Sequence, residues 1–255
     1  MRYKPYMLRF RLLFPLFALL LGACSKLESP QPGDYRAHIE LGGGIVPFEL
    51  NVDTKAQLWL VQNGAAQAAT ELKITDGVLT AQLPNGSGTL QATIGHAKLQ
   101  GELVVSDNHG KQQHLPFAAE LNKPYRFVAN SSTDNADVSG QWQFEALDLD
   151  HSNAPVTLRL QQKFDAIDGE LVFADGAGLL IYGQAQGDDI YLGGLGQGYV
   201  LLFKGKVDTH GDLQGQLWIN SSTAQTVVVT RMSEKSTESE EILREVALPW
   251  AVPTR

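Results

Sequence analysis

From Gly33 to about residue 232, apolar and polar side chains alternate in short runs with a period of two. Tyr35, Ala37, Ile39 and Leu41 alternate with Arg36, His38 and Glu40; Phe48, Leu50 and Val52 with Glu49, Asn51 and Asp53; Leu90, Ala92 and Ile94 with Thr89, Gln91 and Thr93. Successive side chains of a strand point to opposite faces, so this spacing predicts strands with one buried and one wet face. Turn signals stand between the runs: Asn63-Gly64, Asp76-Gly77, Asn85-Gly86, Asn108-His109-Gly110, Asp168-Gly169, Asp175-Gly176 and His210-Gly211-Asp212. They recur roughly every ten residues, as short antiparallel hairpins require. A helical spacing appears only near the C-terminus. There Ile242, Leu243 and Val246 follow the polar run Ser233 to Glu241, so 233–255 is expected to be a short helix or a solvated tail. The fold class expected is all-β.

The chain also echoes itself. Leu99-Gln100-Gly101-Glu102-Leu103 returns as Leu213-Gln214-Gly215-Gln216-Leu217, and Gly33-Asp34-Tyr35 followed by Pro47-Phe48-Glu49-Leu50 returns as Gly140-Gln141-Trp142 followed by Pro155-Val156-Thr157-Leu158. Order and spacing are nearly kept. Two tandem antiparallel meander domains are therefore expected, 33–127 and 139–232, joined by a polar linker over 128–138. Each has room for seven or eight strands. A one-faced meander of that size can close and remove its edges, and eight strands make a barrel filled by side chains or holding one small ligand. The Gly-x-aromatic opening and the meander are similar to lipocalin- or avidin-like barrels; barrel-like open sheets or a sandwich pair stay possible.

Ahead of the β region, residues 1–23 carry Arg2, Lys4, Arg9 and Arg11, no acid, and an apolar run from Leu12. This is the composition of an export signal, and the run is short of the roughly 20 apolar residues of a membrane span. Leu21-Gly22-Ala23-Cys24 resembles a bacterial lipobox, which makes Cys24 the lipidation site and 24–32 a tether. Its eight residues after the cysteine reach at most ~29 Å. Such lipoproteins carry three acyl chains, and each buried CH₂ contributes ~0.8 kcal/mol, so the membrane attachment implied is effectively permanent. Ser25 stands where an inner-membrane retention signal would place Asp, which implies the periplasmic face of the outer membrane.

Without the leader, the 20 Lys+Arg and 28 Asp+Glu of the whole chain become 16 against 28. A body that acidic argues against nucleic acid and against basic-patch adhesion to anionic lipid. The single cysteine allows no disulfide framework, thiolate zinc site or dithiol redox centre.

Candidate chemistry is sparse. The histidines His38, His96, His109, His114, His151 and His210 show no ligand-pair spacing, so no metal is expected. Asp148 to Asn153 opens like a calcium loop, but the sixth place is Asn153 and the twelfth Arg159, where Gly and Glu are needed. Gly193-Gly194-Leu195-Gly196-Gln197-Gly198 resembles a phosphate loop but runs into the strand-like Tyr199 to Phe203 instead of a helix, so a glycine-rich turn is expected. No Gly-x-Ser-x-Gly elbow occurs, and Asp188-Asp189 falls at a turn. Neither catalytic residues nor a cofactor are expected. Trp59, Trp142, Tyr199, Phe203 and Trp218 lie in strand-like runs, as core or as the lining of a ligand pocket.

Several elements fall in one order: Gly33-x-Tyr35 with Pro47-Phe48-x-Leu50, Leu115-Pro116-Phe117-x-Ala119 with Tyr125-Arg126-Phe127, Gly140-x-Trp142, Gly198 to Phe203, and Asp212-Leu213-x-Gly215-x-Leu217-Trp218. This is similar to the all-β N-terminal region of TlpA-type thiol–disulfide reductase lipoproteins, over about 33–232. In that family a thioredoxin-like domain with a Cys-x-x-Cys motif follows. This sequence has no such pair, so the family's catalytic residues have no positions here. The resemblance implies an accessory, non-catalytic module with an envelope protein partner, associated with a thiol-redox system. The alternative is a periplasmic carrier holding a small apolar ligand inside a barrel. A hydrolase with a site assembled from loops is the weakest of the three.

Overall fold

A computed structural model describes residues 29–106, 110–124, 126–129, 132, 134–144, 156–173 and 175–232. The leader, Cys24, most of the tether, His109, His151, the calcium-loop-like stretch and the C-terminal segment lie outside the described residues.

Every regular element among the described residues is a strand. The first sheet contains β1 (Gly33–Leu41), β2 (Gly44–Val52), β3 (Leu58–Gln62), β4 (Ala65–Ala68), β5 (Thr70–Thr75), β6 (Val78–Leu83), β7 (Gly88–Gly95), β8 (Lys98–Ser106) and β9 (Gln112–Leu121). The second contains β10 (Gly140–Phe144), β11 (Val156–Lys163), β12 (Ala166–Val172), β13 (Gly178–Gln186), β14 (Asp189–Gly196), β15 (Tyr199–Val207), β16 (Leu213–Ile219) and β17 (Gln225–Arg231). All pairings are antiparallel. The second sheet is a closed eight-stranded barrel, sealed by β10 against β17.

The first sheet has the order β4-β3-β2-β1-β9-β8-β7-β6-β5. Its two ends, β4 and β5, are one continuous stretch of chain separated only by Ala69. The stretch pairs with β3 through β4, switches partner around Ala69 and the bulge between Thr70 and Lys73, and pairs with β6 through β5. Glu71 adopts a positive φ of 52° at the bulge. The result is a nearly closed barrel of eight strand-length segments, so both halves of the chain are meander barrels, as the alternation predicts.

The sequence echoes occupy equivalent places. Tyr35 faces Leu50 across β1–β2, and Trp142 faces Leu158 across β10–β11. Each aromatic donates a hydrogen bond to the carbonyl four residues earlier: Tyr35 Oη to Gln31 at 2.9 Å and Trp142 Nε1 to Val138 at 2.9 Å. In β8 and β16, Gly101 and Gly215 lie so close to the preceding strand that a Cβ would collide with the carbonyl oxygens of Gln91 and Lys204. The hairpin turns follow the Asn-Gly and Asp-Gly signals: Asn63-Gly64 has φ of 47° and 76°, the two positive values a type I′ turn needs. Two expected turns are corrected. Asp168-Gly169 lies within β12, because the hairpin turns four residues earlier at Phe164-Asp165. The glycine run is strand from Gly193 to Gly196, and only Gln197-Gly198 turns.

The barrels meet end to side. Loops at one end of the first barrel sit on the outer wall of the second. Across β13–β16, the outward row Tyr182–Gly193–Leu202–Trp218 is one line of cross-strand partners. Tyr182, Leu202 and Trp218, with Leu195 and Val200, belong to the first barrel's core cluster, beside Val46 and Phe48. Inward residues of the same strands, Tyr199, Leu201 and Phe203, belong to the second barrel's core. A strand covered on both faces reads as an unbroken apolar run, and Tyr199-Val200-Leu201-Leu202-Phe203 is buried throughout. Glycine makes the close approach possible: a Cβ on Gly43 would lie 2.5 Å from the Trp218 indole, and one on Gly193 3.1 Å from Val46. Hydrogen bonds close the seam: Gln197 N to Asn85 O at 2.7 Å, Gly198 N to Gly86 O at 2.8 Å, Lys204 Nζ to Gly43 O at 2.7 Å and the buried Gln62 Nε2 to Leu195 O at 2.8 Å.

Candidate functional site

The five aromatics proposed from sequence do not share one site. Trp142, Tyr199 and Phe203 fill the interior of the second barrel, with Trp142 fully buried and Arg231 stacked 4.3 Å from its ring. Trp218 points the other way, into the seam. Trp59 alternates with the buried Leu58 and Leu60 of β3 and so lies on the outer face of the first barrel.

A different set of residues lines a cleft of about 600 Å³ outside both barrels, in the angle where they meet. Its floor is the outer face of β1 and β2. Asp34, Arg36 and Glu49 stand there because they are the polar positions of the alternation, and Arg36 and Glu49 are direct cross-strand partners. One side is the β3–β4 turn at Asn63-Gly64; another is the chain leaving β9, from Asn122 to Pro124 and at Arg126. Tyr182 of β13 supplies the wall from the second barrel.

The chain after β9 is held in place by both barrels. Arg36 donates two hydrogen bonds to the Arg126 carbonyl, at 3.0 and 2.5 Å. The Arg126 guanidinium reaches across to Asp168 of β12 at 3.2 Å. Gln184, a buried outward residue of β13, accepts from the backbone N–H groups of Phe127 and Val128 at 3.1 and 3.0 Å and donates to Asp165 at 3.1 Å. Phe127 stacks on Tyr191 with centroids 6.0 Å apart.

The cleft carries charges of both signs. Burial, then the nearby Asp34 carboxylate, raise the Glu49 pKa above its ordinary value, and Arg126 partly offsets this. Asp34 accepts a hydrogen bond from Asn51 at 2.6 Å. At the far wall, Tyr182 is 5 % exposed and its buried hydroxyl has no hydrogen-bond partner. Burial pushes its pKa far up, against a smaller opposing effect of Arg126, so it stays a neutral O–H donor. A buried polar group without a partner costs about 1–3 kcal/mol, which a ligand completing the bond would recover. The carboxylates Asp34 and Glu49 thus share the floor with the Arg36 guanidinium, and Tyr182 and Arg126 add donors beside them. Among the described residues, no group of three His, Cys, Asp or Glu is placed to hold a metal.

Sequence reasoning could place Asp34, Arg36 and Glu49 on an outer face, but not Tyr182 and Arg126 beside them. Those come from a two-sided strand and an irregular segment whose path no local pattern encodes. Compared with protein-family models, curated proteins and solved structures, the chain matches none.

Proposed function

We propose that the chain is a non-catalytic, lipid-anchored envelope module whose double barrel offers the inter-barrel cleft as a recognition surface, associated with a thiol-redox system. The anchor and address come from the lipobox-like Cys24 and the redox association from the TlpA-type motif order. The observation that carries the recognition role is the cleft: a charged recess built jointly by both barrels. A ligand inside the second barrel would have to displace Trp142, Tyr199 and Phe203 from a filled core, so the outer cleft is the better recognition site.

The test is site-specific photo-crosslinking of the full chain in intact cells. A probe at Asn63 or Lys123, on the cleft rim, should give a reproducible adduct with an envelope component. A probe at Asp76, on the end of the first barrel away from the seam, should not. Equal labelling from both positions, or none from the rim, would refute the reading. Cys24→Ser should abolish palmitate incorporation and release the protein from the membrane fraction.

A further inference from the structure

We infer that the inter-barrel cleft binds a small zwitterion of the amino-acid or short-peptide class, its ammonium group at Asp34 and Glu49 and its carboxylate at Tyr182 and Arg126. This rests on the reading of the cleft as the recognition surface and names what it recognises.

Three independent features point to such a ligand. The first is size: about 600 Å³ falls within the roughly 300–1,000 Å³ typical of small-molecule sites, and Val61 and Pro124 give it apolar wall. The second is the unpartnered Tyr182 hydroxyl, nine-tenths buried in a side chain that lines the cleft. As a permanently protonated donor next to a guanidinium, it is suited to an anionic oxygen, and hydrogen bonds to charged groups are the strong ones. The third is the pair of carboxylates on the floor. Asp34 disfavours the charged form of Glu49, and an ammonium between them relieves that repulsion.

Arg36 stands on the floor beside Glu49, and Arg126 acts on Glu49 from the wall. Arg36 is committed to the Arg126 carbonyl, Arg126 to Asp168, and Lys123 reaches toward Glu120 at 3.6 Å. The lining carries charges of both signs, the carboxylates of Asp34 and Glu49 and the cations of Arg36, Lys123 and Arg126. A molecule carrying both charges meets complementary groups of both signs in this lining.

Isothermal titration of the full-length protein in detergent micelles, with tri-alanine as the probe, tests this. Free tri-alanine should bind. N-acetylation and C-terminal amidation should each weaken it about tenfold or more, the scale of one charge-assisted hydrogen bond. Glu49→Gln should weaken free tri-alanine and leave the acetylated form unchanged. Tyr182→Phe should weaken tri-alanine while the melting temperature holds or rises, since it removes only a hydroxyl that has no partner. No heat at up to about 10 mM peptide, equal affinity for the blocked peptides, or indifference to both variants would each overturn the inference. Rim crosslinking without tri-alanine binding would leave the recognition role standing and remove the ligand assignment; binding without crosslinking would do the reverse.

Discussion

Leu202 separates a pair of fused barrels from two barrels that merely touch. It lies on β15 with its side chain on the outer face of the second barrel, a position that in a free-standing barrel would face water. Here it is fully buried, between Gly193 and Trp218 in the row that plugs the first barrel. Leu202→Ala removes three carbons. At about 0.8 kcal/mol for each buried methylene-sized group, the lost transfer energy is about 2.4 kcal/mol. The cavity left in a packed seam adds to that, and core Leu→Ala changes span about 2–5 kcal/mol, so about 3 kcal/mol is expected. For a cooperative unit of this size, each kcal/mol shifts the midpoint by roughly 2–4 °C, giving a fall of about 6–12 °C. Differential scanning calorimetry reads the shift, and urea unfolding followed by tryptophan fluorescence checks it, since Trp218 sits in the seam. A loss below about 0.5 kcal/mol, the ordinary scale for a surface position, would refute the mouth-to-wall packing.

The matched glycines offer a second check. Gly101→Ala and Gly215→Ala each drive a methyl group into a carbonyl of the neighbouring strand, so both should cost about 1–3 kcal/mol in urea unfolding. Indifference at either position would show that the two barrels do not share this close approach. His38 supplies the pH dependence. Burial chiefly, and Arg36 beside it, lower its pKa below the ordinary 6.5, with Glu40 and Glu120 opposing. The unfolded chain therefore takes up this proton first as pH falls. The stability His38 confers is present above about 6.5 and is lost as pH drops through the lowered folded value. Between pH 7.5 and 5.5, His38→Gln should show a shallower fall in melting temperature than the wild type; parallel profiles would contradict the assignment.

Much of this architecture was legible in the alternation because one-faced strands write their burial directly into sequence. Tyr35, Ala37 and Ile39 point inward as read, and the Leu-x-Gly-x-Leu echo marks the same strand of each barrel. The same parity could have divided the aromatics. Leu213, Gly215 and Leu217 fix the inward face of β16, so Trp218 must point out, away from Tyr199 and Phe203. The unbroken run 199–203 announces a strand covered on both sides, but nothing local tells what covers it. Asp168-Gly169 shows the opposite limit: a strong turn dipeptide was overridden because the hairpin closes at Phe164-Asp165, and Gly169 serves instead as a close approach to Arg159.

The cleft inherits its existence from the seam. Asp34 and Glu49 belong to the first barrel and Tyr182 to the second, so the site is complete only while the row Tyr182–Gly193–Leu202–Trp218 stays seated in the first barrel's mouth. Tyr182 takes part in both, packed in the core cluster on one side and lining the cleft on the other. A change that only thins the packing, such as Leu202→Ala, leaves that geometry in place and should lower stability with little effect on recognition. A change that cannot be accommodated should act differently. Gly193→Val would push methyl groups against Val46 and Phe127, prise the barrels apart and draw Tyr182 away from Glu49. Recognition would then be lost even where each barrel remains folded. Recognition lost at Gly193 but kept at Leu202, where only stability falls, is the pattern expected of a site built on a junction between two barrels.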